Sequence, residues 1–299
     1  MRSLPIITET YQHHLTNFVH WLQTLGYSVS TCYNLPNHLH EFFYYLESNE
    51  LVELEQVKSS TIQDYFTELQ RRGNQRTGKP LSVAHLKKHL QALKRFSVYL
   101  QSLNQTSLNL PDIHFTTDKA QVKKINILSS SEIERLYETC GGDVLGLRDR
   151  AMLSLYYGCG LRRTEGTRLN VWDVQLKKKL LFIAPSKNGC ERYVPLAPRV
   201  ADDLYNYLYQ SRPHFKNADA TAAFLLSMQG YRLGGQTLQL RLKYLVQKAV
   251  LSTDQIGLHT LRHSIATHLL EGGLSLKNIA LFLGHKSLES TQIYTHVAK

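Results

Sequence analysis

The 299-residue chain carries 35 Lys and Arg against 24 Asp and Glu, a formal charge of +11, with 42% apolar and 20% charged residues. That composition is globular and long enough for two cores, no apolar run approaches the ~18 residues of a membrane span, and residues 1–5 lack the apolar centre of a secretion signal. The positive balance favours a polyanionic partner, nucleic acid first.

Residues 8–101 read as four helices joined by short loops. Tyr11, Leu15, Phe18, Val19, Leu22 and Leu25 recur at three- and four-residue steps before Gly26. Leu35, Leu39, Phe42, Phe43 and Leu46 repeat the pattern, and Ile62, Tyr65, Phe66 and Leu69 make a third helix. Leu86, Leu90, Leu93, Phe96, Val98 and Leu100 make a fourth, opened by Ser82 as a cap. Charge divides this region: residues 1–68 hold 2 basic and 8 acidic side chains, residues 69–112 hold 8 basic and 1 acidic. Arg71, Arg72, Arg76 and Lys79 fall in a loop broken by Gly73, Gly78 and Pro80, and Lys87, Lys88, Lys94 and Arg95 lie on the fourth helix. Such a basic stretch suits DNA phosphates, with a solvated helix face as the plainer alternative.

From residue 103 the period is interrupted by Pro111, Thr116-Thr117-Asp118 and Lys123-Lys124. A domain over 1–112, a linker over 113–128 and a second domain over 129–299 are expected. Ser131 and Glu134 fit a capping box at the start of the second domain. Residues 147–157 read as an apolar helix ending at Gly158-Cys159-Gly160. Residues 180–183 and 193–196 are predicted strands around an Asn188-Gly189 turn. Helices follow over 201–209, 236–250, 259–271, 275–283 and 288–294, those over 259–271 and 275–283 closed by Gly272-Gly273 and Gly284. The fold class is mainly α with one small sheet. Cys32, Cys140, Cys159 and Cys190 form no Cys-x-x-Cys pair and are expected to stay reduced, in the cytoplasm.

Six side chains then stand out. Arg162 follows a glycine break that lets the backbone approach a ligand, although an arginine there can simply neutralise a helix end. Lys187 sits beside the Asn188-Gly189 turn, where a solvated lysine is ordinary. His259 and Arg262 share one helix face, opposite a stripe of Leu258, Leu261, Ile265 and Leu269. His285 follows Gly284, and Tyr294, one of 17 tyrosines, lies nine residues later. His259 and His263 have the spacing of a zinc pair, but Thr260 stands where a His-Glu-x-x-His motif needs glutamate.

Taken in order, Gly160-Leu161-Arg162-Arg163-Thr164-Glu165, Ser186-Lys187-Asn188-Gly189-Cys190-Glu191-Arg192-Tyr193-Val194-Pro195-Leu196, His259-Thr260-Leu261-Arg262-His263, Leu283-Gly284-His285 and Thr291-Gln292-Ile293-Tyr294-Thr295-His296 resemble the successive boxes of the tyrosine recombinases, the phage integrase family. The likeness is nearest to Xer-type recombinases and mobile-element integrases. It implies a four-helix, SAM-like core-binding domain that holds DNA, followed by a mostly helical catalytic domain with a small sheet. It also implies roles. Tyr294 is the nucleophile, Arg162 and Arg262 clamp the non-bridging phosphate oxygens, and Lys187 protonates the leaving 5′ oxygen. His259 assists proton transfer, His285 bonds the transition state, and Glu165 supports the site. Arg163, Gly166 and the Ser186-Lys187-Asn188-Gly189 hairpin depart from the usual pattern. Five residues follow Tyr294, fewer than in many relatives whose tail docks into a neighbouring protomer.

The implied reaction is cleavage and rejoining of double-stranded DNA at an inverted-repeat core site, through a 3′-phosphotyrosyl intermediate and a Holliday junction. It takes no cofactor and no metal, since fixed guanidiniums stabilise the developing charge. The implied assembly is a homo- or hetero-tetramer on DNA, compatible with a monomer in solution, with no membrane partner. The rivals are a type IB topoisomerase-like enzyme, a non-catalytic DNA-binding regulator on the same fold, and, more distantly, a zinc hydrolase.

Overall fold

The computed structural model describes residues 5–73, 78–105, 107–115, 126–185, 191–251, 256–285 and 291. The chain divides into two compact units, residues 1–122 and 123–299.

In the first unit α1 (Glu9–Thr24), α2 (Val29–Ser48), α3 (Ser59–Arg71) and α4 (Val83–Ser102) form the expected bundle. Its corners follow from local chemistry. Gly26 turns the chain after α1 at φ +71°, a left-handed conformation that glycine adopts without a Cβ clash. Ser28 opens α2 by accepting the Thr31 N–H at 3.3 Å, and Ser82 opens α4 by accepting that of His85 at 3.3 Å. The core is aromatic: Tyr11 stacks on Phe43 at 4.5 Å, and Phe18 meets Phe96 edge-on at 5.6 Å. Such pairs add about 0.5–1.5 kcal/mol beyond the area they bury. Two residues expected in the apolar stripes lie outside them. Val98 is exposed because it is two positions from Phe96, off the face that residues three and four apart share. Leu25 is exposed because α1 has ended at Thr24. Past α4 the chain remains on the bundle: Leu108 is buried, and Leu110, Ile113 and Phe115 pack against the same core.

The second unit contains α5 (Ser130–Glu138), α6 (Val144–Leu153), α7 (Arg163–Arg168), α8 (Pro198–Asn206), α9 (Gly235–Lys248), α10 (Leu258–Glu271) and α11 (Leu276–Leu283). Its sheet is antiparallel, ordered β1 (Val174–Gln175), β2 (Leu180–Ile183), β3 (Arg192–Pro195). The β2–β3 register pairs Leu181 with Val194 and Ile183 with Arg192, so Leu181, Ile183 and Val194 enter the core. The capping box that opens α5 is Ser129 with Glu132, not Ser131 with Glu134. Both pairs have the right spacing, and the earlier one coincides with the entry of Leu128 into the core. There the Leu128 N–H donates to Ser264 Oγ at 2.8 Å. β1 has two residues, too short to show a period in the sequence. Among the described residues, no helix is long and apolar enough to cross a membrane.

Candidate active site

Two breaks in helical structure assemble the site. α6 runs into a π-turn, Ser154–Gly158, in which the Cys159 N–H donates to the Ser154 carbonyl. Such a turn adds a residue to the helix and re-aims whatever follows. Gly160 comes next at φ +60°, and a Cβ there would lie 2.9 Å from Leu283 and 3.0 Å from Phe282. Glycine therefore permits the close approach of α11. Arg162 then becomes the N-cap of α7. The second break is the end of α11, stopped by Gly284 in left-handed geometry at φ +67°.

Three guanidiniums meet the last carbonyls of this helix end. Arg192 Nε donates to the Phe282 oxygen at 2.9 Å, Arg262 Nη2 to that of Leu283 at 2.7 Å, and Arg162 Nη2 to that of Gly284 at 2.8 Å. Helix-terminal carbonyls lack intrahelical donors and carry the negative end of the helix dipole, so cations are favoured there. Arg262 Nη1 also donates to the Gly160 oxygen at 2.6 Å, which ties the two breaks together.

Glu165 sits among the same three arginines. It accepts from the Arg162 backbone N–H at 2.8 Å and Nη1 at 2.7 Å, and from Arg192 Nη1 at 3.1 Å and Nη2 at 2.9 Å. Arg262 Nη1 lies 3.7 Å away. Burial alone would raise the Glu165 pKa, but the hydrogen bonds and charge of Arg192 and the bonds from Arg162 hold it down to about 2. The carboxylate is thus ionised at neutral pH and cancels one of three positive charges. The remaining excess, about two charges, is fixed in place and suits an anion that is at least singly charged.

Histidines border this cluster. His259 and Arg262 lie on α10, where Leu258 and Leu261 are buried and Ile265 and Leu269 half-buried. Arg262 is itself only 4% exposed, so its charge works in a protein environment rather than in bulk water. Partial desolvation, then the charges of Arg262, Arg163 and Arg162, lower the His259 pKa. Burial, followed by Arg262, Arg162, Arg192 and His263, pushes His285 down to about 4. His285 is neutral at pH 7, with Nδ1 2.8 Å from Thr291 Oγ1. Gly166, an unusual residue after Glu165, has a structural reason: a Cβ there would collide with the Tyr156 hydroxyl, which donates to the Arg163 carbonyl at 3.1 Å.

The structure therefore brings together Arg162, Glu165, Arg262 and His285 around the end of α11, with His259 within electrostatic reach. Lys187, the Asn188-Gly189 turn and Tyr294 lie outside the described residues, as does most of the helix expected over 288–294. Arg192 was not singled out from the sequence. The signal was present: it shares a β3 face with buried Val194, and an arginine on a buried strand face calls for a partner. A cleft of about 270 Å³ lined by Arg148, Asp149, Met152, Leu238, Arg241 and Tyr244 shares no residue with the cluster.

In the first unit the basic residues divide. Lys79, Lys87, Lys88, Lys94 and Arg95 are exposed, and Arg95 lies 5.9 Å from the centre of the Tyr27 ring. Arg71 is the last residue of α3 rather than part of a loop, and Arg72 forms an ion pair with buried Glu41. Arg76 lies outside the described residues.

Comparison with known proteins places the chain in a family. The family model "Phage integrase family" matches residues 126–299. Tyrosine recombinase XerD of Oceanobacillus iheyensis is 32% identical over 292 residues, covering 96% of this chain and 95% of that protein. Tyrosine recombinase XerC of Natranaerobius thermophilus is 36% identical over 185 residues, covering 60% of this chain and 61% of that protein. Among solved structures, the XerH site-specific recombinase bound to difH substrate superposes with a TM-score of 0.75 at 19% identity, over 98% of this chain and 95% of that one. The Tn1549 transposon integrase in complex with transposon right end DNA gives 0.71 at 17% identity, over 94% of each. The structural likenesses show a shared fold, and the family model with the XerD match shows descent: the chain belongs to the phage integrase family of tyrosine recombinases.

Proposed function

We propose that this chain is a site-specific DNA recombinase that cleaves and rejoins strands of double-stranded DNA. One observation carries the reading: three guanidiniums converge on the end of α11, held by a single carboxylate that leaves them with net positive charge. Arg162 and Arg262 serve as the clamp on the scissile phosphate. A guanidinium presents parallel donors that match phosphate oxygens, and losing one such preorganised donor costs about 3–4 kcal/mol of barrier. Arg192 and Glu165 position that clamp. Tyr294 attacks the phosphorus, giving a 3′-phosphotyrosyl link and a free 5′ hydroxyl. Lys187 donates the proton to the leaving oxygen. His259 assists proton transfer, and His285 bonds the phosphate in the transition state. A hydroxyl from the partner strand reverses the step and forms a Holliday junction, which a second round resolves. No cofactor enters this sequence.

The relatives support the substrate class, since XerH and the Tn1549 integrase are recombinases captured on DNA. In this reading residues 1–112 form the core-binding domain, residues 113–128 the linker and residues 129–299 the catalytic domain. Exposed Arg71, Lys79, Lys87, Lys88, Lys94 and Arg95 meet the phosphates of an inverted-repeat core site, and Arg72 and Arg76 are assigned to the same role from the sequence. Four protomers, identical or of two kinds, assemble on that DNA in the cytoplasm, associated with the nucleoid.

A nicked suicide substrate carrying the target site tests the nucleophile. The wild-type chain is expected to accumulate a covalent DNA adduct, and Tyr294→Phe to form none while still shifting the DNA in a gel. An adduct of undiminished yield with the phenylalanine variant overturns the assignment.

A further inference from the structure

Three imidazoles meet inside the first unit, remote in sequence from every residue discussed above as catalytic. One ring nitrogen from each of His38 on α2 and His85 and His89 on α4 lies within 4.8 Å of the other two. His85 and His89 are four residues apart, one turn of the same helix, and their Nε2 atoms are 3.3 Å apart. The His38 ring centre is 4.4 Å from that of His89 and 5.3 Å from that of His85. Nitrogen ligands about 2.0–2.1 Å from a tetrahedral ion are separated by about 3.3 Å. The α4 pair already has that spacing, and a His38 ring nitrogen lies within 4.8 Å of both.

Two surrounding contacts fit an ion. The Tyr65 hydroxyl lies 2.9 Å from His89 Nδ1, the kind of outer hydrogen bond that fixes the tautomer and orientation of a metal-binding imidazole. Glu41, three residues after His38 on α2, is 6% exposed, and its Oε2 lies 3.8 Å from His89 Nε2. Its other oxygen, Oε1, is held by an ion pair with Arg72.

We propose that His38, His85 and His89, with Glu41 as fourth donor, form a zinc(II) site that pins α2 to α4. Three neutral imidazoles and one carboxylate are a zinc-type donor set. The sequence hides the site, because His85 and His89 belong to one helix and His38 lies 47 residues before the first of them. The consequence is structural: the ion fixes α4, the helix that displays Lys87, Lys88, Lys94 and Arg95, against the bundle.

Zinc titration of the tag-free, full-length, chelator-stripped chain against a chromophoric chelator tests the proposal. One tight equivalent per chain and a rise in unfolding temperature are expected. His38→Gln/His85→Gln is expected to lose that equivalent while still unfolding cooperatively without zinc, and His259→Gln/His263→Gln to keep it. Failure of the wild-type chain to bind zinc tightly, or retention of the equivalent by His38→Gln/His85→Gln, overturns the site and leaves a plain histidine hydrogen bond. Should that double variant not fold, cobalt(II) substitution of the wild-type chain decides. Intense visible bands of a tetrahedral nitrogen and oxygen site, displaced by zinc, are expected. Their absence overturns the proposal.

Discussion

Replacing Glu165 with glutamine keeps the side-chain volume and removes the charge that three arginines share. The fall of the Glu165 pKa from 4.5 to about 2 corresponds to roughly 3 kcal/mol of native-state stability at pH 7. Deleting one partner of a buried ion pair costs a similar 3–5 kcal/mol or so, on the order of what mutational series give. The sign follows from the direction of the shift. A depressed carboxylate pKa contributes fully above 4.5, and the contribution is lost as pH falls toward 2. For a unit of this size each kcal/mol moves Tm by about 2–4 °C, so Glu165→Gln is expected to lower Tm by about 6–12 °C at pH 7. The gap from wild type should narrow below pH 4.5. Scanning calorimetry of the full chain measures both. A Tm within about 1 °C of wild type at pH 7, or a gap that stays constant into acid, would refute the argument that one carboxylate holds the arginines together.

Other perturbations probe the same geometry from different sides. Gly284→Ala places a Cβ at φ +67°, 2.7 Å from Arg192 Nη1. The left-handed conformation alone costs about 1–2 kcal/mol, so urea unfolding should show at least that loss, and a neutral result would mean α11 does not need this stop. Burial lowers the pKa values of His263 and His285 to about 4 each. Depressed histidine pKa values make the unfolded chain bind more protons between pH 6.5 and 4, so stability should fall across that window as the solution is acidified. His285→Gln should flatten the slope, and an unchanged slope would remove His285 as a contributor. Lys87→Ala and Lys88→Ala should each reduce the slope of log binding constant against log salt by about 0.9 if they meet phosphates. Unchanged slopes would leave these lysines as solvated helix positions.

The helices of both units were legible because their apolar residues repeat at three- and four-residue steps and their ends carry Ser, Asp or Gly. Errors arose where spacing alone does not decide. Val98 matches the composition of the α4 stripe but not its angle, and two overlapping capping boxes precede α5, of which tertiary packing of Leu128 selects the earlier. The π-turn after α6 was invisible. Its backbone bonds, among them that from the Cys159 N–H to the Ser154 carbonyl, leave no mark in the sequence, and buried Ser154 is held by a hydroxyl bond to Asp203 at 2.5 Å, far along the chain.

The site was legible in its parts and not in its wiring. Arg162 and His285 stand beside glycine breaks and Arg262 shares a helix face with His259, but it was the resemblance to the recombinase boxes that singled them out. What the sequence order conceals is that three arginines bind three successive carbonyls, those of Phe282, Leu283 and Gly284. This arrangement resolves an electrostatic difficulty. Like charges packed this closely repel, and burial of Arg262 and Arg192 weakens solvent screening. A second buried carboxylate would relieve the repulsion but would also cancel the charge an anion needs. Carbonyl dipoles at a helix end relieve it without carrying a formal charge. One glutamate with one helix terminus therefore holds the guanidiniums at fixed positions while leaving the cluster cationic. It follows that Arg192 contributes by position rather than by proton chemistry, and that lysine there would keep the charge yet lose at least one of its three bonds to Glu165 and Phe282.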